Sequence, residues 1–336
     1  MAKITVTALR TAGSVLLCVL TAGALTACGS AEQPVTAATS PPPATTVAPD
    51  PAAVGANELG LVPVLMYHRI DRSGLGEYDQ TPEKFRAELD RLYRENYRPI
   101  TVSQYASGDF DLAAGTHPVV LTFDDSTTSQ VSFTADGAPA PDTAVAILEE
   151  FRAQHPDFGA TATFFVNNEP FANDARALPW LTAHGYEVGA HTASHANLAR
   201  LDGTGVQREL VENVRAITAA THLPVRTLAL PLGISPTDRA LASAGTWEGT
   251  AYAFDAVMLV GAEPAPSPYG PVDLAAVPRI RSGRDDIAFT SGYWLDKLAA
   301  APADRYTSDG DPSRISFPQS RTAELAARWS ARANAY

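Results

Sequence analysis

Residues 118–129 read PVVLTFDDSTTS. The run Val119 to Phe123 ends in two adjacent carboxylates, Asp124 and Asp125. A short apolar run of this kind reads as a buried strand. Two like charges where it stops repel each other, so something has to offset them. Six more stretches have the same character: LVPVLMYHR at 61–69, TATFFVN at 161–167, YEVGAH at 186–191, TLALPLG at 227–233, YAFDAVMLV at 252–260 and VPRIRSG at 277–283. Helical patterns lie between several of them, at 81–97, 142–155, 176–185, 206–222 and 236–245. In the first, Thr81 is placed to cap, Pro82 takes the first helical position, and Phe85, Leu89 and Leu92 share a face. Asp142 reads as the cap of the second, and the alternating Arg and Glu of 206–222 as a solvated face.

Apolar strands alternating with amphipathic helices predict a parallel sheet covered by helices. About seven such units in about 260 residues suit a distorted (β/α) barrel of about seven parallel strands. An open doubly wound sheet is the alternative. Barrels of this class carry their sites at the C-terminal ends of the strands. Asp124 and Asp125 stand at such an end, as do GAHTASH at 189–195 and LPLG at 230–233. His191 and His195 are four apart and would face the same way on a helical turn. Two imidazoles and a carboxylate from another strand make the three-ligand, open-position set of a catalytic metal. A His pair can equally be a hydrogen-bonded loop feature.

The ends of the chain bound the rest. The 336 residues carry a formal net charge of −12, which argues against nucleic acid and against docking on anionic lipid. Lys3 and Arg10 precede the apolar SVLLCVLTAGAL at 14–25, too short for a comfortable membrane span. Leu25-Thr26-Ala27-Cys28 then resembles a bacterial lipoprotein signal, with cleavage before Cys28 and the lipid on it; an ordinary secretory signal is the alternative. With Cys18 lost in the signal, no disulfide framework or Cys-ligated zinc site remains. Residues 28–58 are rich in Pro, Ala and Thr and read as a disordered tether, leaving 59–336 as the folded domain.

Taken together, Thr122-Phe123-Asp124-Asp125-Ser126, His191-Thr192-Ala193-Ser194-His195, TATFFV and GYEVGAHTASHANL resemble the polysaccharide deacetylases of carbohydrate esterase family 4, the NodB homology domain. The resemblance is good over roughly 61–235 and loose beyond. It implies that Asp125, His191 and His195 hold a divalent metal, Zn²⁺ first, and that Asp124 is the general base. It assigns Pro231, Gly233 and Arg281 to substrate binding. It implies an enzyme that removes N-acetyl groups from an N-acetylated polysaccharide, lipid-anchored at the cell surface through Cys28.

The chain departs from the family in four places. Ser126 replaces the usual Gly. The third motif, R-x-P-[YF]-G, is Ala229-Leu230-Pro231-Leu232-Gly233, without the Arg that pairs with the catalytic Asp. Arg226 lies on the wrong strand face, so Arg279 or Arg281 is expected to supply that cation. The fourth motif is not recognisable. No His follows His222, so His68, closing the first strand, is the candidate general acid. Tyr293 and Trp294 could stack on sugar or pack a helix on the barrel. These departures leave a second reading open: a non-catalytic carbohydrate-binding lipoprotein derived from a deacetylase.

Overall fold

The structure is a computed structural model that describes residues 49–336 apart from positions 75, 262 and 285. The expected signal segment, the expected lipidation at Cys28 and most of the expected tether therefore lie outside the described residues. The strands, in chain order, are β1 (Val64–Tyr67), β2 (Tyr97–Ile100), β3 (His117–Phe123), β4 (Thr163–Val166), β5 (Glu187–Ala190), β6 (Thr227–Ala229), β7 (Ala244–Trp247), β8 (Thr250–Ala253), β9 (Ala256–Met258), β10 (Ile280–Arg281), β11 (Ile315–Phe317) and β12 (Ala333–Ala335). The helices are α1 (Pro82–Arg94), α2 (Val102–Ser107), α3 (Ala144–Gln154), α4 (Ala177–Ala183), α5 (Gly203–Thr221) and α6 (Ser291–Ala300).

The main sheet runs β10-β1-β3-β4-β5-β6-β9, all parallel, with β2 also paired to β3. A further parallel bridge joins Met258 to Val277, just ahead of β10, so the sheet curls back toward its first edge. This is the curled parallel barrel that the strand–helix alternation predicts. Strand β2 was not foreseen, because Pro99 and Arg98 interrupt its apolar run.

Side-chain alternation divides the core in two. Leu65, Tyr67, Val119, Leu121 and Phe123 pack outward against the helices. Val64, Val120, Phe165, Ala229, Met258 and Val277 face the barrel interior. The same alternation aims the next residues in register, Thr122 and Asp124, inward.

Helix α1 starts as expected, with Thr81 Oγ1 accepting from Lys84 N and with Phe85, Leu89 and Leu92 buried. Three local expectations are corrected. Thr143, not Asp142, caps α3, since its hydroxyl accepts from Ala146 N. Asp142 sits at φ +64 and pairs with Arg72 and Arg86. Residues 236–245 form only a 3-10 turn, Arg239–Ala242, because the chain goes straight into the β7–β8 hairpin. Its two-residue loop, Glu248-Gly249, is left-handed at both positions, the conformation such hairpins need. Finally, the packed domain starts earlier than composition suggested. Ala56, Asn57 and Glu58 are buried against 303–309 and 315–317.

Near the C-terminus, β11 pairs with β12 in parallel. Ile315 and Phe317 of β11 join the interior core, and Trp329 meets Tyr269 edge-on.

Candidate active site

Each candidate catalytic residue follows the C-terminal end of a parallel strand: His68 after β1, Asp124 and Asp125 after β3, His191 after β5, Pro231 to Gly233 after β6. In an extended strand, adjacent Asp side chains would point to opposite faces. Asp125 takes φ +72 and Ser126 φ +48, which breaks the alternation and turns both carboxylates to one side. Left-handed backbone at non-glycine residues is costly and collects at functional sites.

Asp125 Oδ1 lies 3.3 Å from His191 Nε2 and 3.2 Å from His195 Nε2. That oxygen is buried and accepts no hydrogen bond. Among the described residues, these three offer one ligand atom each, all within 4.8 Å of one another. His191 Nδ1 sits 2.8 Å from the Ala229 carbonyl, and that contact places the proton on Nδ1 and leaves Nε2 a free lone pair. A buried acceptor with no donor and two imidazole nitrogens aimed at it fit a divalent cation. The two histidines do not meet across a helical turn. Thr192 (φ +64) and His195 (φ +57) bend the segment into a left-handed loop.

Asp124 is 1% exposed, and Arg279 is 0% exposed. Arg279 Nη1 donates to Asp124 Oδ1 at 2.8 Å and Nη2 to Oδ2 at 2.6 Å. Arg279 also donates to Thr122 Oγ1 and to the Leu259 carbonyl. Burial raises the Asp124 pKa, and the Arg279 guanidinium brings it below the ordinary value, so the carboxylate stays ionised. In place of the cation missing from the third motif, Arg279, the residue before β10, pairs with Asp124. Arg281, the other candidate and the residue assigned to substrate, pairs with Glu77 instead. Arg226 pairs with Asp255.

The His68 ring meets that of Tyr78 at a tilt, centroids 4.7 Å apart, and its Nδ1 is buried without a partner. Burial lowers its pKa, against the opposing pull of Asp124 and Asp125, so the ring is neutral near pH 7. The turn after β6 buries Pro231 and displays Leu232, which sits at φ +60 and is 58% exposed. Pro231 thus offers no exposed side chain for the substrate role expected of it. At Gly233 (φ +67) a Cβ would stand 2.8 Å from Val260, so only glycine fits. Tyr293 is 40% exposed, while Trp294 packs on the core.

Several residues at the site gave no motif signal. Gln130, fully buried, donates to the carbonyls of His68 and Asp124. Asn167 Nδ2 donates to the carbonyls of His191 and Thr192. Ser126 Oγ accepts from Asn167 N, which ties the aspartate turn to the histidine loop. A polar residue in a loop looks alike in sequence whether solvated or buried, so nothing marked them.

The family model described as polysaccharide deacetylase matches residues 112–247. A chitooligosaccharide deacetylase of Bradyrhizobium sp. (strain ANU 289) is 34% identical over 123 residues, 36% of this chain and 48% of that one. A chitin deacetylase of Pestalotiopsis sp is 33% identical over 64 residues, 18% of this chain and 22% of that one. The chain thus spans about half of the first relative's length and under a quarter of the second's. The fold is shared with a polysaccharide deacetylase from Bacillus cereus, at TM-score 0.53 and 19% identity over 72% of this chain and 68% of that one. It is shared too with the deacetylase PplD of Streptococcus pyogenes, at TM-score 0.51 and 18% identity over 67% of this chain and 93% of that one. Both aspartates and both histidines lie inside residues 112–247, the stretch that is similar to the polysaccharide deacetylase family.

Proposed function

We propose that this chain hydrolyses N-acetyl groups on a cell-surface or extracellular polysaccharide, using a divalent metal held by Asp125, His191 and His195. The observation that carries the reading is an ionised, buried Asp124 beside three converging metal donors. A divalent cation in such a site polarises an amide carbonyl and acidifies a water, Zn²⁺ doing both well.

This chain's own residues do the rest. Asp124, fixed by Arg279, takes a proton from the attacking water. The water oxygen bonds to the acetyl carbon, and the C–N bond breaks. The leaving nitrogen takes up the proton that Asp124 removed, handed on by His68, which is neutral at rest and so free to accept it and release it. Acetate and a free amine result. Two departures favoured a mere binding protein, the missing motif-three cation and the missing late His; Arg279 supplies the first, and His68 is the candidate for the second.

Acetate release from a panel of N-acetylated glycans tests the reading, with Asp124→Asn and chelated protein alongside. Release by the wild type, lost in both controls, is expected. No release from any glycan by metal-loaded protein would overturn it. The lipid anchor has its own test: lipid labelling of the full chain, lost in Cys28→Ser.

A further inference from the structure

The loop that carries both histidines is held from outside the motif. Glu209 and Asn213 lie four apart on α5 and so share a face. They are 7% and 0% exposed, so Glu209 is an exception to the solvated face expected of the alternating Arg and Glu on this helix. Asn213 Oδ1 accepts from His191 N at 3.0 Å, and its Nδ2 donates to the Val166 carbonyl and to Asn168 Oδ1, both at 3.0 Å. Glu209 accepts from Ser194 N and from Ser194 Oγ, both at 2.9 Å, while its carbonyl accepts from Ala193 N at 3.1 Å.

On the opposite side, β4's continuation closes the loop. Asn167 donates to the His191 and Thr192 carbonyls, and Asn168 N donates to the Ala193 carbonyl. Within the loop, Thr192 Oγ1 accepts from Ala196 N. The backbone between the two ligands is thus fixed group by group, in a conformation with two left-handed residues that it would not hold on its own.

We propose that Glu209 and Asn213 are positioning residues of the metal site. They hold the strained His191–His195 loop so that both Nε2 atoms meet Asp125 Oδ1 before any cation arrives. Neither side chain touches a metal ligand's donor atom; Asn213 holds the backbone of His191, and Glu209 holds Ser194 between the two ligands. Without them the loop relaxes toward ordinary φ values, and the cation must itself supply the cost of ordering it. This inference rests on the metal reading above.

The test is Zn²⁺ affinity by competition with a chromophoric chelator, read beside thermal unfolding of the metal-free proteins. Outer-shell partners of metal ligands typically contribute about 10–100-fold in metal affinity. Glu209→Ala and Asn213→Ala should each lose affinity within that range. Glu209→Gln keeps an acceptor for Ser194 N and a donor for Ser194 Oγ, and should stay within about threefold of wild type. Glu212→Ala, on the half-exposed side of α5, should match wild type.

Should Asn213→Ala fail to fold, Glu209→Ala against Glu209→Gln decides. If the alanine variants bind Zn²⁺ as the wild type does and only their unfolding temperature falls, the inference is overturned and the metal reading stands. If the wild type takes up no Zn²⁺, the metal reading fails and this inference goes with it.

Discussion

Arg279 and Asp124, 155 residues apart in sequence, form a two-pronged ion pair in the barrel interior, at 2.8 and 2.6 Å. Each is the other's counter-charge in a place with almost no water. Removing one partner of such a pair leaves a bare buried charge, at a cost of about 3–5 kcal/mol. Arg279→Met should therefore lower stability by that order in chemical denaturation and greatly reduce acetate release. Arg279→Lys keeps the charge but not the fork, and should fall between. A wild-type rate in both variants would show that Asp124 needs no cation.

Removing His68 should separate chemistry from metal binding. General acid–base groups contribute about 10²–10⁴-fold. His68→Gln should lose kcat in that range and keep Zn²⁺ affinity, because His68 is not among the converging donors. A loss of Zn²⁺ in this variant would assign His68 to the metal instead.

Ser126 poses two opposed effects at one position. Its φ of +48 favours glycine, while its Oγ accepts from Asn167 N. Glycine removes the strain and about 0.5–1.5 kcal/mol of hydrogen bond. Ser126→Gly should thus be near neutral in stability. Ser126→Val, branched at a left-handed position and without the hydroxyl, should be clearly destabilised and bind Zn²⁺ more weakly. Equal unfolding midpoints for the two variants would count against the strain.

A pH effect should arise far from the site. Glu58 lies buried beneath β11, and burial pushes its pKa from 4.5 to about 8, against hydrogen bonds from Ser316 N and Tyr306. The folded protein holds this proton up to about pH 8, whereas the unfolded chain releases it near 4.5. Between those values the native state binds more protons, so its stability falls as pH rises. The contribution is full below pH 4.5 and lost above about 8, on the order of a few kcal/mol. Glu58→Gln should flatten that part of the stability–pH curve and raise stability at pH 8. An unchanged slope from pH 5 to 8 would refute this.

The sequence by itself determined the parallel barrel and the residues of the candidate metal centre. The short apolar runs, the helices between them, and TFDD and HTASH at strand ends are local patterns, and local patterns survive in one dimension. It also narrowed the missing cation to Arg279 or Arg281, since both belong to one strand face. Only the tertiary structure decided between them. Arg279 lies one residue below Ile280, which pairs with Leu65, so its side chain runs up the interior to Asp124, while Arg281 meets Glu77 at the rim. The helical turn expected between His191 and His195 failed for the same kind of reason. Asn167, Glu209 and Asn213 reach that loop from other elements and hold it left-handed. Register and burial arise between segments distant in the chain, and no stretch read alone contains them.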